Sequence, residues 1–263
     1  MAKTRLDTLL VERGLFESRS RAAAAVMAGE VRLGMDGARA DKPGQMIAPD
    51  APVSVDELPG YVSRGGVKLA NALHAFGLDP AGRCCLDVGV STGGFTDCLL
   101  QRGAEHVVAL DVAYGELHWQ IRGDSRVTVI ERTNARALEP SMLAYRPDLI
   151  TIDVSFISLA KVLPAVLDCA AERFDCLAMV KPQFEVGRER LGAGGVVRDP
   201  EHRADAVKAV AAAAAELGWG AAGVVASPLP GPAGNVEFFL WLRRDADPLR
   251  DDDVERALAE GPR

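Results

Sequence analysis

The period of the apolar positions changes near residue 84. Before it, Leu6, Leu9 and Leu10 recur at helical spacing, and Gly14 stands where that helix ends. Ser18 is placed to cap a second helix running through Ala22 to Met27 and ending at Gly29. Val31 and Leu33 open a short strand, and Pro59-Gly60 marks a linker. The pattern divides the chain into a small α+β module over 1–58, a linker over 59–63, a main domain over 64–245 and a tail over 246–263.

From residue 84 short apolar runs alternate with helical stretches. Strands are expected near 84–90, 106–112, 126–133, 148–155, 176–181, 221–228 and 236–244. Helical patterns lie between most of them, such as Thr92–Arg102 before Gly103 and Glu201–Leu217 before Gly218. That alternation predicts an α/β domain with a mostly parallel sheet covered by helices on both faces. Pro228 to Gly234 is too short for a crossover helix, so the last two strands should form an antiparallel hairpin. Seven strands closing in one hairpin is the layout of a class I, Rossmann-like methyltransferase; a dinucleotide-binding fold would need a further crossover helix. The acidic run Asp251–Asp253 lies in a tail compatible with a terminal helix.

Composition narrows the picture. Of 263 residues 48% are apolar, enough for one large domain and a small one. The formal charge is −7, so a nucleic-acid partner must be met by a local basic patch. Cys84, Cys85, Cys98, Cys169 and Cys176 form no paired spacing, which speaks against a disulfide framework and for free thiols in a reducing cytoplasm. No CxxC pair or His/Cys cluster points to a metal. Met1 to Arg5 has no signal-peptide character, and the run Ala209–Ala215 is too short to span a membrane.

The segment from Asp87 through Gly89, Ser91, Thr92, Gly93 and Gly94 to Phe95 follows a strand and opens a helix. Gly89 permits a tight turn, and Gly93 and Gly94 are expected to let a ligand approach the backbone. Asp111 ends the next strand, 22 residues after Gly89, where a carboxylate accepts both ribose hydroxyls of an adenosine cofactor. Such a turn also serves NAD. Asp87 at the strand end, and glycine spacing that departs from G-x-G-x-x-G, favour S-adenosylmethionine.

Three polar residues stand at the ends of otherwise apolar strands: Asp153, Lys181 and Glu237. The last strand runs opposite to the others, so its beginning lies at the edge where they end. Lys68 sits on a helical stretch just before the first strand. A lysine held between carboxylates suits methyl transfer to a poorly nucleophilic ribose hydroxyl, with Lys181 expected between Asp153 and Glu237. Taken singly, the same residues also fit plain ion pairs at a sheet edge; their common location at that edge favours catalysis.

Six stretches together carry a family resemblance: Val62-Ser-Arg-Gly-Gly-Val-Lys68-Leu, Asp87-Val-Gly-Val-Ser-Thr-Gly-Gly-Phe95, Glu131-Arg-Thr-Asn-Ala-Arg136, Asp153-Val-Ser-Phe-Ile-Ser-Leu159, Lys181-Pro-Gln-Phe-Glu-Val-Gly187 and Gly231-Pro-Ala-Gly-Asn-Val-Glu237. Over nearly its whole length the chain resembles the TlyA family, FtsJ-like enzymes preceded by an S-four-type RNA-binding domain. The resemblance implies 2′-O-methylation of cytidine in ribosomal RNA or ribosomal subunits, with Lys68, Asp153, Lys181 and Glu237 as the catalytic set. It places Val112, Asn134, Asp153 and Phe156 beside the cofactor with the turn residues. The family linker often carries Arg and Trp before Val-Ser-Arg-Gly; this chain has Pro59-Gly60-Tyr61-Val62, keeping only the aromatic character.

Arg5-Leu-Asp7, Gly14, Ser18-Arg19, Ala22, Gly29 and Val31 resemble the S-four-type domain. Residues 1–35 hold six basic and four acidic groups, so any patch must come from geometry. Arg5, Arg19, Arg21 and Arg64 are the expected RNA contacts, with Arg19 and Arg21 at a helix start. Arg188, Arg190, Arg198 and Arg203 follow Lys181 in a glycine-rich stretch, which reads either as a loop over RNA or as a solvated linker. Other readings stay open here: a different RNA-modifying enzyme with the same front domain, an RNA-binding protein with an inactive enzyme domain, or a membrane-active haemolysin.

Overall fold

The computed structural model describes residues 3–16, 18–28, 31–35, 37–40, 42–55, 60–244 and 246–262. Gly29, Pro59 and Asp245, to which the sequence pattern gave a helix end, a linker and a domain end, lie outside the described residues. The chain divides into two compact units, Met1–Gly60 and Tyr61–Arg263.

The first unit runs β1 (Thr4–Arg5), α1 (Leu6–Glu12), α2 (Arg19–Ala28), β2 (Val31–Leu33), β3 (Ala38–Arg39), β4 (Met46–Ile47) and β5 (Val53–Val55). Strands β1 and β4 pair, and β2 lies between β3 and β5, all antiparallel. Leu6 and Leu10 of α1 pack on Ala22, Ala25 and Val26 of α2 and on Val31. Ser18 accepts a hydrogen bond from the Arg21 amide at 3.3 Å, satisfying an amide that the first turn of α2 leaves open. The sequence pattern reads α1, α2 and β2. The other strands are two or three residues long, too short to show an alternation.

The second unit opens with α3 (Arg64–Phe76), capped by Ser63 and closed by Gly77 in the left-handed region. It continues β6 (Cys84–Val88), α4 (Gly94–Gln101), β7 (His106–Leu110), α5 (Trp119–Arg122), β8 (Val127–Ile130), β9 (Leu149–Ile152), α6 (Leu163–Asp168), β10 (Asp175–Val180), α7 (Pro182–Glu185), α8 (Pro200–Glu216), β11 (Gly220–Ala226), β12 (Phe238–Arg243) and α9 (Asp251–Glu260). The seven strands order as β11-β12-β10-β9-β6-β7-β8. All seven strands fall where the alternation of apolar runs put them, and β12 inserts antiparallel between β10 and β11 as the closing hairpin.

Successive residues of each strand face opposite sides. Leu86, Val88, Ile150, Ile152, Ala178 and Val180 join a core with α6 and α8, while Cys85, Leu149, Leu177 and Met179 join a core with α3 and α4. The stretch 246–262 contributes α9, whose Val254 and Ala257 are buried in the first of these cores. The order of strand addition reverses at β6: β7 and β8 follow in parallel on one side, and β9 begins the other. The crevice past the carboxyl ends of β6 and β9 is therefore the topological switch point, where open α/β sheets bind ligands.

Helix α4 starts at Gly94 because the preceding residues form the turn rather than the helix. A Cβ at Gly94 would collide with Ser63 Oγ and stand 2.9 Å from the Gly66 amide nitrogen and 3.2 Å from the Gly65 Cα. The starts of α3 and α4 thus touch backbone to backbone. Gly94→Ala should destabilise the protein by about 1–3 kcal/mol, because backbone cannot yield as a side chain does. A drop of several degrees in the melting temperature checks it; an unchanged value would show that the two helix starts can part.

Candidate active site

Strand register brings the polar residues together. Val88 pairs with Ile152, Ile152 with Ala178, and Val180 with Phe238. Gly89, Asp153, Lys181 and Glu237 each stand one residue beyond those ladders, at one edge of the sheet. Lys68 reaches the same edge from the first turns of α3.

The four charges form two pairs. Lys68 Nζ lies 2.6 Å from Glu237 Oε2, with Lys68 8% and Glu237 1% exposed. Lys181 Nζ lies 2.6 Å from Asp153 Oδ1, a close ion contact without hydrogen-bond alignment, and donates to Ser155 Oγ at 2.9 Å. This corrects the expected arrangement: Glu237 pairs with Lys68, and Lys181 stands between Asp153 and Ser155. The reason is steric order along the sheet. Glu237 precedes β12 and reaches Lys68 on α3, whereas Lys181 follows β10 beside β9, the strand that Asp153 follows. Ser155, inside the motif Asp153-Val-Ser-Phe, had no role in the sequence reading.

The glycine turn is built for packing as well as for reach. Gly89, at φ +86°, has no room for a side chain because a Cβ would sit 2.6 Å from the Asp153 carbonyl oxygen. A Cβ on Gly93, at φ +97°, would meet Leu117 Cδ1 at 2.8 Å. The side-chain space at Gly93 and Gly94 is thus filled by protein. Ser91 is held at φ +47°, a left-handed conformation uncommon outside glycine, and its amide donates to Asp111 Oδ2 at 2.7 Å. Asp111 Oδ1 accepts the Ala113 amide at 2.8 Å, so backbone donors orient both carboxylate oxygens.

Asp87 is fully buried beneath this turn. Its oxygens accept from Thr96 at 2.7 Å and Thr151 at 2.9 Å. Burial pushes its carboxyl up to about 7, against the two hydroxyls, which favour the charged form. Asp87 therefore braces the turn from within. Phe95 is also core, its ring 5.7 Å from Phe239. Thr92 is half-buried, and its carbonyl accepts the His118 amide.

Val112 and Phe156 are exposed apolar side chains at this edge. Phe156 is 91% exposed at φ +63°, with its ring 5.2 Å from that of Phe184. Asn134 is exposed and caps a short helical turn through the Arg136 amide. Arg64 donates to the Pro230 carbonyl at 3.1 Å, tying α3 to the loop that leads to Glu237. In the first unit Asp7 gathers Arg5, at 2.6 Å, and Arg19, at 3.4 Å. The hydrogen bonds from Arg5 hold the Asp7 carboxyl down at about 2. Arg21 is exposed on α2. Of the loop arginines, Arg190 pairs with Asp205 and Arg203 donates to the Val197 carbonyl.

The donor set fits S-adenosylmethionine. Asp111 offers oriented carboxylate oxygens for a ribose diol, and exposed Val112 and Phe156 offer apolar surface for a base. Among the described residues no group of His, Cys, Asp or Glu has the geometry to hold a metal ion.

Residues 61–244 match the model of the FtsJ-like methyltransferases. The chain belongs to that family. Residues 4–53 of this FtsJ-like chain match the S4 domain. It is 53% identical to the 16S/23S rRNA (cytidine-2′-O)-methyltransferase TlyA of Mycobacterium tuberculosis, over 99% of both chains, and so is a TlyA-type member. It is 36% identical to Hemolysin A of Brachyspira hyodysenteriae, over 89% of this chain and 98% of that one. A solved Streptococcus thermophilus structure that also carries a hemolysin name superposes with a TM-score of 0.76 at 40% identity, over 99% of this chain and 97% of the other. Among the described residues no helix is long and apolar enough to cross a membrane.

The buried Asp87 gives a test of the brace. Its folded pKa lies above the ordinary 3.8, so the folded state holds a proton that the unfolded state releases. The stability tied to that proton is fully present below about pH 4 and is lost as pH rises through about 7. From pH 5 to 8 the wild type should lose about 2–3 kcal/mol more than Asp87→Asn, in which the threonine hydroxyls turn to suit the amide. Urea unfolding at both pH values measures it; parallel profiles would show that Asp87 is charged in the folded protein throughout.

Proposed function

We propose that this chain transfers a methyl group from S-adenosylmethionine to the 2′-hydroxyl of a cytidine ribose in ribosomal RNA, presented free or within a ribosomal subunit. The observation that carries the reading is the convergence of two lysine–carboxylate pairs on the sheet edge that bears the glycine turn. The substrate class follows from the TlyA relative, which matches over the full length. When bound, the cofactor supplies a methyl group on a positively charged sulfur, open to in-line displacement by an oxygen.

The chain's own residues supply position and charge. Asp111, the Gly89–Gly94 turn, Val112, Asn134 and Phe156 hold the adenosine part. Lys181 donates to the incoming hydroxyl oxygen and favours negative charge on it as its proton passes to the adjacent Asp153 carboxylate and from there to solvent water. Asp153 and Ser155 fix the amine, and near-complete burial of Lys68 and Glu237 keeps the edge dry and the charges in register. Two lysines and two carboxylates balance, so a neutral hydroxyl meets a site without net charge.

In the first unit Asp7 holds Arg5 and Arg19 as a cationic pair on the surface, with Arg21 further along α2. These groups suit RNA phosphates, which dominate the recognition of structured RNA. Five free cysteines agree with action in the reducing cytoplasm.

Lys181→Ala should lower methyl transfer by about 10²–10⁴-fold while leaving cofactor Kd nearly unchanged. Single-turnover assays with isothermal titration read both, and unchanged turnover would remove Lys181 from the chemistry. Mass spectrometry of ribosomal RNA from cells with and without the protein should show one or more ribose-methylated cytidines that depend on it; identical spectra would refute the substrate. Arg19→Glu with Arg21→Glu should weaken RNA binding and flatten its log–log salt dependence by about 1.5–2, the loss of two phosphate contacts. Unaltered affinity would mark those arginines as an ordinary solvated face.

A further inference from the structure

Two segments flank the Lys181–Asp153 pair and are bound to each other at both ends. At one end, Lys181 Nζ holds Asp153 Oδ1 at 2.6 Å and Ser155 Oγ at 2.9 Å. At the other, Glu185 Oε2 accepts the Ser158 hydroxyl at 2.6 Å and Oε1 accepts the Leu159 amide at 2.8 Å. Between these ends the Phe156 and Phe184 rings lie 5.2 Å apart. The segment 153–159 is thus buttoned to 181–185 by a lysine at one end and a glutamate at the other.

The loop between the buttons is strained. Phe156 has φ +63°, a left-handed conformation that an aromatic residue adopts at a cost of about 1–3 kcal/mol. Its ring is almost wholly in solvent, so burial of its own side chain does not offset that cost. Such strain persists only where the flanking residues over-determine the backbone. On the amino side, the Asp153 amide is fixed to the Val88 carbonyl at 2.8 Å. On the carboxyl side, Leu159 is buried, and the polar tie is Glu185. Without it the loop has a route to relax, and Asp153 and Ser155, which hold the amine of Lys181, belong to that loop.

We infer that Glu185 is a positioning residue for methyl transfer, clamping Ser158 and the Leu159 amide so that Asp153, Ser155 and the strained Phe156 stay in place around Lys181. The inference rests on the catalytic assignment of Lys181 and Asp153. Glu185 touches neither reacting group. It acts through the loop, its one carboxylate accepting two hydrogen bonds, from the Ser158 hydroxyl and the Leu159 amide.

The test uses the full-length protein, isolated ribosomal subunits lacking the modification and radiolabelled S-adenosylmethionine. Glu185→Ala should lower kcat by about 10- to 100-fold, the usual penalty of misplacing a catalytic group by about an ångström. Cofactor Kd should stay within about threefold, because the Asp111 site is untouched by the clamp. Glu185→Gln should restore kcat to within about threefold, since its amide oxygen still accepts the Leu159 N–H and the Ser158 hydroxyl can turn to accept from its NH₂. Ser158→Ala removes one tie to Glu185, together with the Ser158 cap on the Ala160 amide, and should cost about 3- to 10-fold in kcat. Adding it to Glu185→Ala should cost little more, as two residues sharing one contact are non-additive.

Where Glu185→Ala does not fold, Ser158→Ala and Glu185→Asp, which is one methylene too short, carry the same test. Normal kcat in Ser158→Ala and Glu185→Asp overturns the inference. So does a Glu185→Gln protein that folds yet turns over as poorly as Glu185→Ala, because charge and not the clamp would then matter. A wild-type protein that methylates no subunit fails the proposed reaction itself, a result distinct from normal turnover in the variants.

Discussion

The carboxylate of Glu237 is 1% exposed, and a charge so far from water has to be matched. Lys68 matches it at 2.6 Å, and loss of either partner would strand the other at a cost of about 3–5 kcal/mol. This constraint links elements far apart in sequence. Helix α3 brings Lys68, and β12 brings Glu237. Strand β12 arrives there because it enters the sheet antiparallel, with its first residue level with the last of β10. Arg64 and the Pro230 carbonyl repeat the link on the outside of the same junction. The Lys181–Asp153 pair then lies one strand further in, more open to water and so better placed to meet a substrate hydroxyl.

The glycine turn answers a different constraint, the crowding of strand ends at the switch point. Gly89 lets the end of β6 pass within contact of the Asp153 carbonyl, and Gly94 lets two helix starts meet. A turn pressed this tightly needs bracing from below. Asp87 supplies it, bound to Thr96 of α4 and Thr151 of β9, so one carboxylate joins a helix to a neighbouring strand. Two hydroxyl donors lessen the burial cost without removing it, which is why the carboxyl sits near 7 and not near 4. The strain at Ser91 turns its amide toward Asp111, and so shapes the side of the turn that faces the ligand.

The sheet was legible because its strands are buried on both faces and read as apolar runs ended by a polar residue. The position of Asp153, Lys181 and Glu237 at one edge followed from strand direction alone. The pairing did not follow, since it depends on which strand is neighbour to which: β12 lies beside β10, yet Glu237 turns to the α3 layer. The roles of Gly93 and Gly94 were hidden for a like reason. Their sequence signature is that of a ligand turn, while what fills their side-chain space, Leu117 and Ser63, comes from segments that local pattern cannot place. Thr96, Thr151 and Ser155 carry no signal of their own, being ordinary polar residues whose hydroxyls matter only through a carboxylate or amine brought from elsewhere. In the first unit, Asp7 stood only within a resemblance to the S-four-type domain, and its two arginine partners show what it does.

A chain of net charge −7 has no long-range attraction for a polyanion. Favourable contacts with RNA must therefore come from cations held locally against the general field. Asp7 accomplishes this in a way that spends no net charge on the surface: the carboxylate is buried, while the two guanidinium groups it aligns remain about half exposed. An arginine pair oriented from below presents its remaining donors to solvent in a fixed direction, which lowers the entropy lost on meeting phosphate. The edge proposed for catalysis follows the opposite rule. Its two lysines are each cancelled by a carboxylate, so it does not compete with the arginines for phosphate and is left to engage a neutral hydroxyl. On the proposed reading, attraction and chemistry are thereby separated along the chain, the first falling to exposed cations over a buried anion and the second to a nearly dry, balanced set of four.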